Sequence, residues 1–255
     1  CMKGKSVDLV IHNAKIHTMN DQNSIVQAIA IKDGKVVEAG PDRQIMNKYS
    51  ADEFIDAQGK DVFPGFADAH GHMMSLARMK LSADLFGSGS MEELLVRVEK
   101  YAQRKKRPVI VGRGWDQSLW GNEDLPTNDL LNERFPDKPV VLYRVDGHAV
   151  LVNDAALKKY GINGNTQVDG GEVLKKEDGT LTGILLDNAI PLIGDKLPDF
   201  SDAELSKALL EIQSELFSYG VTDVHEAGLT PHDFKLLRNL VKKDKLTIGI
   251  YGMLY

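Results

Sequence analysis

Two histidines one residue apart, His70 and His72, are the side chains in this sequence best placed to do chemistry. They close the stretch Val62–Met73, Val-Phe-Pro-Gly-Phe-Ala-Asp-Ala-His-Gly-His-Met. In it, a short apolar run passes a Pro-Gly break and an acidic residue before reaching the imidazoles. Residues two apart on a strand point to the same side, so both rings can aim at one point just past a strand's end. Gly71 between them puts no side chain on the opposite face. Neutral imidazole is the commonest biological metal ligand, and zinc takes it at about 2.0–2.1 Å. A bare His-x-His reads more readily as two ordinary surface or core histidines. The apolar strand, the break and the acid in front of this one favour a metal pair.

Strands lead up to the pair. Val7–Thr18 is apolar with a break at Asn13, and Ala28–Ile31 and Lys35–Ala39 flank Asp33-Gly34, a hairpin signal because both turn positions need positive φ. Phe54–Asp56 and Gln58-Gly59 give a further strand and turn. Residues 7–61 therefore predict a small β domain. Behind the pair, Met73–Leu85 predicts a helix whose methionines pack a core. Ser90 with Glu93, and Ser201 with Glu204, each predict a capping box opening a helix, and Gly220 closes the second. Leu205, Leu209, Ile212 and Leu216 mark the buried face of that second helix.

Three polar clusters each follow a short apolar run: Trp115-Asp116-Gln117, Asp146-Gly147-His148 and His225-Glu226-Ala227-Gly228. In α/β barrels, functional groups sit at the C-terminal ends of strands. Each cluster alone also has a plainer reading, Asp116 as a cap or turn residue and His148 as a satisfied core histidine. Composition narrows the rest. The formal charge of −6 argues against a nucleic-acid footprint, and no apolar run approaches the ~18 residues of a membrane span. There is no G-x-S-x-G elbow, P-loop or dinucleotide glycine fingerprint. The run Arg104–Arg107 reads as a solvated helix end favourable to the helix dipole. The single cysteine, Cys1, allows no intramolecular disulfide. As the first residue, it reads either as the start of a processed, lipid-anchored chain of the cell envelope or as a scar on a cytoplasmic one.

Pro64-Gly65-Phe66-Ala67-Asp68-Ala69-His70-Gly71-His72 resembles the P-G-F-x-D-x-H-x-H signature of the amidohydrolase superfamily. Gly112–Trp120, Pro139–His148 and Gly220–Gly228 resemble the branch that includes N-substituted formamide deformylases, and the likeness covers essentially the whole chain. It implies an α/β fold: the N-terminal part of a distorted TIM (β/α)8 barrel with a composite β-sandwich and a long insertion after the first barrel strand. Residues 1–61 would be the first part of the sandwich and 62–255 the first part of the barrel, with about 80–200 inserted. Val221–His225 and Ile248–Met253 would be the second and third barrel strands. The implied activity is metal-dependent hydrolysis of a carbon–nitrogen bond other than a peptide bond, in an amide or formamide, by attack of activated water. His70 and His72 would hold a divalent metal, zinc being the expected ion, as one of one or two. Trp115, Asp116, His148 and Glu226 would line the pocket of a small-molecule substrate.

The nearest alternatives are a deaminase or ester hydrolase of the same superfamily, then a non-enzymatic solute-binding lipoprotein. A homo-oligomer stays open. In the family the remaining ligands are a lysine, two further histidines and an aspartate on later barrel strands, and no lysine here stands in that context. The residues that complete catalysis are therefore expected beyond Tyr255, in a chain roughly twice as long.

Overall fold

The computed structural model describes residues 4–121 and 124–254. Cys1, on which the expectation of a lipid anchor rests, lies outside the described residues. Two compact units divide the chain, one of residues 1–67 and 220–223 and the other of residues 68–219 and 224–255. The fold is mixed α/β. No described helix is long and apolar enough to cross a membrane.

The first unit is built on β1 (Lys5–His12), β2 (Lys15–His17), β3 (Ile25–Val26), β4 (Ala28–Lys32), β5 (Lys35–Gly40), α1 (Asp42–Lys48), β6 (Tyr49–Asp56) and β7 (Asp61–Val62). One sheet runs β5-β4-β1-β6 and a smaller one β3-β2-β7. β1 pairs antiparallel with β4 and parallel with β6. The predicted hairpin joins β4 to β5 through Asp33 and Gly34 at φ 49° and 71°. Val7, Val10, Ala28, Ala30, Ile45 and Tyr49 form the core of this unit.

Next come β8 (Phe66–Gly71), which carries the first histidine, and α2 (Met73–Leu81), which starts directly after the second. The chain continues through β9 (Ala83–Asp84), α3 (Met91–Arg104), β10 (Ile110–Trp115), α4 (Asp129–Arg134), β11 (Val140–Arg144), β12 (Ala149–Val152), α5 (Asp154–Tyr160), β13 (Gly171–Lys175), β14 (Leu181–Asp187) and α6 (Pro191–Gly194). Its last elements are α7 (Asp202–Ser218), β15 (Val221–Leu229), α8 (Pro231–Lys242) and β16 (Gly249–Leu254).

Two sheets organise these elements. A six-stranded mixed sheet has the order β13-β14-β12-β11-β10-β9, and a three-stranded sheet the order β16-β15-β8. The larger sheet buries apolar residues on both faces. Trp115, Leu142, Leu151 and Ile184 belong to one core cluster, and Val109, Val141, Val150 and Leu185 to another. This is the pattern of a sheet covered on both sides.

Three local expectations are corrected. Ser90 caps α3 through its hydroxyl, but Glu93 turns back to the N–H of Gly89, 2.9 Å away, rather than to Ser90, so that box is only half made. The Ser201–Glu204 box is complete. β15 runs on to Leu229 instead of stopping at His225, which places Glu226 within a strand rather than in a loop. The helix after the pair ends at Leu81, because β9 takes up Ala83 and Asp84.

Candidate metal centre

His70 lies near the end of β8 and His72 is the residue that precedes α2. Their ring centroids stand 5.0 Å apart with the planes at 79°. A zinc–imidazole bond puts the ion about 3.2 Å from a ring centroid. Two rings at this separation can therefore reach one ion. Gly71 is a necessity of packing. A Cβ there would lie 2.5 Å from Val224 Cγ1 and 3.2 Å from Asp68 Oδ2.

Three contacts set the pair. Asp68 Oδ1 accepts from the backbone N–H of His70 at 3.0 Å. The carbonyl of Ala227, on β15, lies 3.2 Å from His72 Nδ1. A carbonyl can only accept, so Nδ1 carries the proton and Nε2 keeps its lone pair. Metal-ligating histidines characteristically donate their other ring N–H in this way. Next to Ala227, Glu226 is buried, and its carboxylate accepts from Met73 N at 2.5 Å and Met74 N at 3.0 Å. Those are two of the N–H groups that the first turn of α2 leaves unpaired. Burial pushes the Glu226 carboxyl above the ordinary range, against the lowering effect of the two backbone bonds.

The four expected substrate contacts separate accordingly. Glu226 is beside the pair, but both its oxygens are engaged in capping α2. Both bonds tie it to the first turn of α2, directly after His72. Trp115 is fully buried in a core cluster, and its indole N–H donates to Leu142 O at 2.7 Å. It packs the six-stranded sheet and has no donor left for a ligand. Asp116 caps a short 3-10 turn, accepting from the N–H and the hydroxyl of Ser118, which together hold its carboxyl below the ordinary range. This is the plainer of its two sequence readings. His148 is exposed and its Nδ1 lies 2.9 Å from Asp187 Oδ1, so it is not a core histidine. Sequence reasoning assigned no role to Asp68 or Ala227. The i, i+2 spacing of Asp68 and His70, a common side-chain-to-backbone pattern, was the available signal for the first. Nothing local signals the second.

Among the described residues, no group of three or more histidine, cysteine, aspartate or glutamate side chains is arranged to hold a metal. The two rings stand close enough to share one ion, and the Ala227 carbonyl sets the tautomer of His72.

The model of the amidohydrolase family matches residues 53–252, and the chain belongs to that family. It is 32% identical over 223 residues to Bacillus subtilis YtcJ, whose name assigns it to the amidohydrolases, covering 86% of this chain and 42% of YtcJ. It is 29% identical over 240 residues to the N-substituted formamide deformylase of Arthrobacter pascens, covering 91% of this chain and 44% of that enzyme. The crystal structure of an uncharacterized metal-dependent hydrolase from Pyrococcus horikoshii superposes with a TM-score of 0.71 at 28% identity, over 96% of this chain and 48% of that one. The chain thus spans about half the length of the relatives it matches. The likeness to the formamide deformylase branch, read from the motifs, is borne out.

Proposed function

We propose that this chain supplies the first two metal ligands of an enzyme that hydrolyses a carbon–nitrogen bond in an amide or formamide. The observation that carries the reading is the His70–His72 pair with His72 Nδ1 tied to Ala227 O, which leaves Nε2 free to bind. Membership of the amidohydrolase family and the likeness to a metal-dependent hydrolase and to a formamide deformylase support it. A divalent ion bound there, with zinc the first candidate, would supply a lowered pKa for water and a polarised carbonyl. The chain's own residues do the rest of what can be assigned. His70 and His72 bind, Ala227 O orients the His72 ring, Asp68 holds the backbone at His70, and Glu226 fixes the start of α2.

A hydrolytic metal site needs at least three protein ligands and an open position. We therefore assign the remaining ligands, and the group that moves the proton, to residues outside this chain. In the same reading β8, β15 and β16 are the first three strands of a TIM barrel. The six-stranded sheet is an insertion after the first of them, and the small N-terminal sheets are one part of a composite sandwich. His148 keeps an exposed imidazole and is the substrate contact we retain.

The test is elemental analysis of the purified chain beside His70→Ala, His72→Ala and the double variant, with thermal melts as a check on folding. The wild type should carry zinc or another divalent metal, and each single variant should lose most of it without a change of fold. A folded double variant with undiminished stoichiometric metal would refute the ligand assignment. A screen of N-formyl and N-acyl compounds, run on a full-length relative with the same substitutions, tests the reaction.

A further inference from the structure

A cavity of about 540 Å³ opens one helical turn from His72. Ser75, Arg78 and Met79 of α2 form one wall, and residues of β10 and β11 form another. This volume lies within the range of small-molecule sites. Three arginines face it, and two of them are already engaged. Arg78 donates to Asp199 at 2.7 Å and to Asp233 at 2.8 Å. Arg107 donates to the Asp199 carbonyl at 3.0 Å and to Glu204 at 3.3 Å, and lies 4.3 Å from the centre of the Phe200 ring.

Arg113 differs. Among the described residues its guanidinium makes no hydrogen bond or ion pair, and the hydroxyl of Tyr143 makes none either. Both line the cavity. Arg113 projects beside Gly147, where a Cβ would stand 3.2 Å from Nη2, so the glycine leaves the guanidinium open. Burial pushes the Tyr143 hydroxyl up to about 12, so it is a donor throughout the physiological range. Two donors without acceptors thus share one cavity with an apolar wall of Met79, Val109, Val111 and Leu197. A guanidinium is a flat fork that matches a carboxylate with two parallel bonds. The charge nearby limits the ligand to one negative charge. Asp195 also lines the cavity, its carboxylate exposed, and the other two arginines are neutralised by their own acids.

We propose that this cavity recognises the carboxylate of a small organic monoacid through Arg113 and Tyr143, with the acid's apolar body against the aliphatic wall.

The probes are phenylacetate and its neutral isostere phenylacetamide, titrated calorimetrically into the chain as purified. Phenylacetate should bind saturably, and phenylacetamide at least about tenfold more weakly, the loss of a charge-assisted pair. Arg113→Met should weaken phenylacetate by about tenfold or more while keeping the melting profile and metal content. Tyr143→Phe, which keeps the ring, should weaken it by about threefold to tenfold. Carboxylates also bind metals, and the Arg113 variant separates the two sites: undiminished binding to it would move the carboxylate to the histidine pair and overturn the proposal. Equal affinity for acid and amide, or no saturable binding of phenylacetate to a cooperatively melting wild type, would overturn it as well. If Arg113→Met failed to fold, the acid–amide ratio and Tyr143→Phe would still decide.

Discussion

Replacing Glu226 tests whether this buried carboxylate serves the substrate or the fold. Its two oxygens take the N–H groups of Met73 and Met74, and both methionines are 3% exposed. In Glu226→Ala water has little access to either donor. An unsatisfied buried donor costs about 1–3 kcal/mol, and loss of a helix cap about 1 kcal/mol. Against this stands the relief of no longer burying a carboxylate, which the upward shift of its pKa shows to be a real cost. The net expectation is a loss of about 2–4 kcal/mol. At about 2–4 °C per kcal/mol for a chain of this size, the melting temperature should fall by about 4–16 °C. Glu226→Gln keeps the shape and one acceptor but turns an amide NH2 toward the other donor, so about half that loss is expected. The assay is a thermal melt followed by circular dichroism, with metal content measured on the same samples. His72 immediately precedes α2, so metal retention should fall along with stability. A Glu226→Ala protein that melts within about 1 °C of wild type and holds its metal would refute the capping argument and restore Glu226 as a substrate contact.

Other substitutions follow from the same geometry. Gly71→Ala drives a Cβ to 2.5 Å from Val224 Cγ1 and should cost about 1–3 kcal/mol in a denaturant melt, with much of it recovered in the Gly71→Ala/Val224→Ala double variant. Arg78→Met strands the Asp233 carboxylate, whose side chain is only 5% exposed, and should cost about 3 kcal/mol; adding Asp233→Asn should recover part of the loss in a double-mutant cycle. Lys48, then Tyr49 and Gln44, lower the Glu38 carboxyl to about 2 by hydrogen bonding. Because the folded value lies below the unfolded one of about 4.3, that contribution is complete above the unfolded pKa and is lost as pH falls toward the folded one. An NMR titration of the Glu38 carboxyl carbon should show the low midpoint, and one near 4.3 would contradict it.

What could be read from the sequence was local. The Asp33-Gly34 turn, the Ser201–Glu204 box and the Gly220 helix stop each depend on residues a few positions apart, and each forms as read. Of the histidine pair, only His70 lies on β8, and His72 follows it as the residue before α2. The misreadings have other causes. Trp115 adjoins polar residues and reads as the start of a loop, yet it is the last residue of β10, and a register shift between Arg113 and Trp115, with Gly114 at φ 107°, puts its ring in the same core cluster as Ile110. Glu226-Ala227-Gly228 reads as a strand-end loop because a glutamate and a glycine weaken a strand pattern. The strand continues as the middle strand between β16 and β8, and the glutamate's acceptors are satisfied by N–H groups more than 150 residues earlier in the chain. Glu93 prefers Gly89 over Ser90 although the sequence signature is intact. For Glu226 the deciding partners are neighbours in space, for Glu93 a competing N–H four residues away, and for Trp115 a strand irregularity, none of which the motif spacing encodes.

The same distinction bears on how His70 and His72 are held. A His-x-His at the end of a strand aligns two rings but leaves each free to choose its tautomer and rotamer. Here β15 removes that freedom for His72. Ala227 offers a carbonyl to His72 Nδ1, and the residue before it, Glu226, anchors the first turn of α2 to the same strand. Alternating side chains along β15 make this economical, since neighbouring residues present a backbone acceptor and a buried side-chain acceptor within one short segment. The orientation of His72 therefore rests on protein contacts alone, and the ordering entropy of its ring is met when β15 and α2 pack.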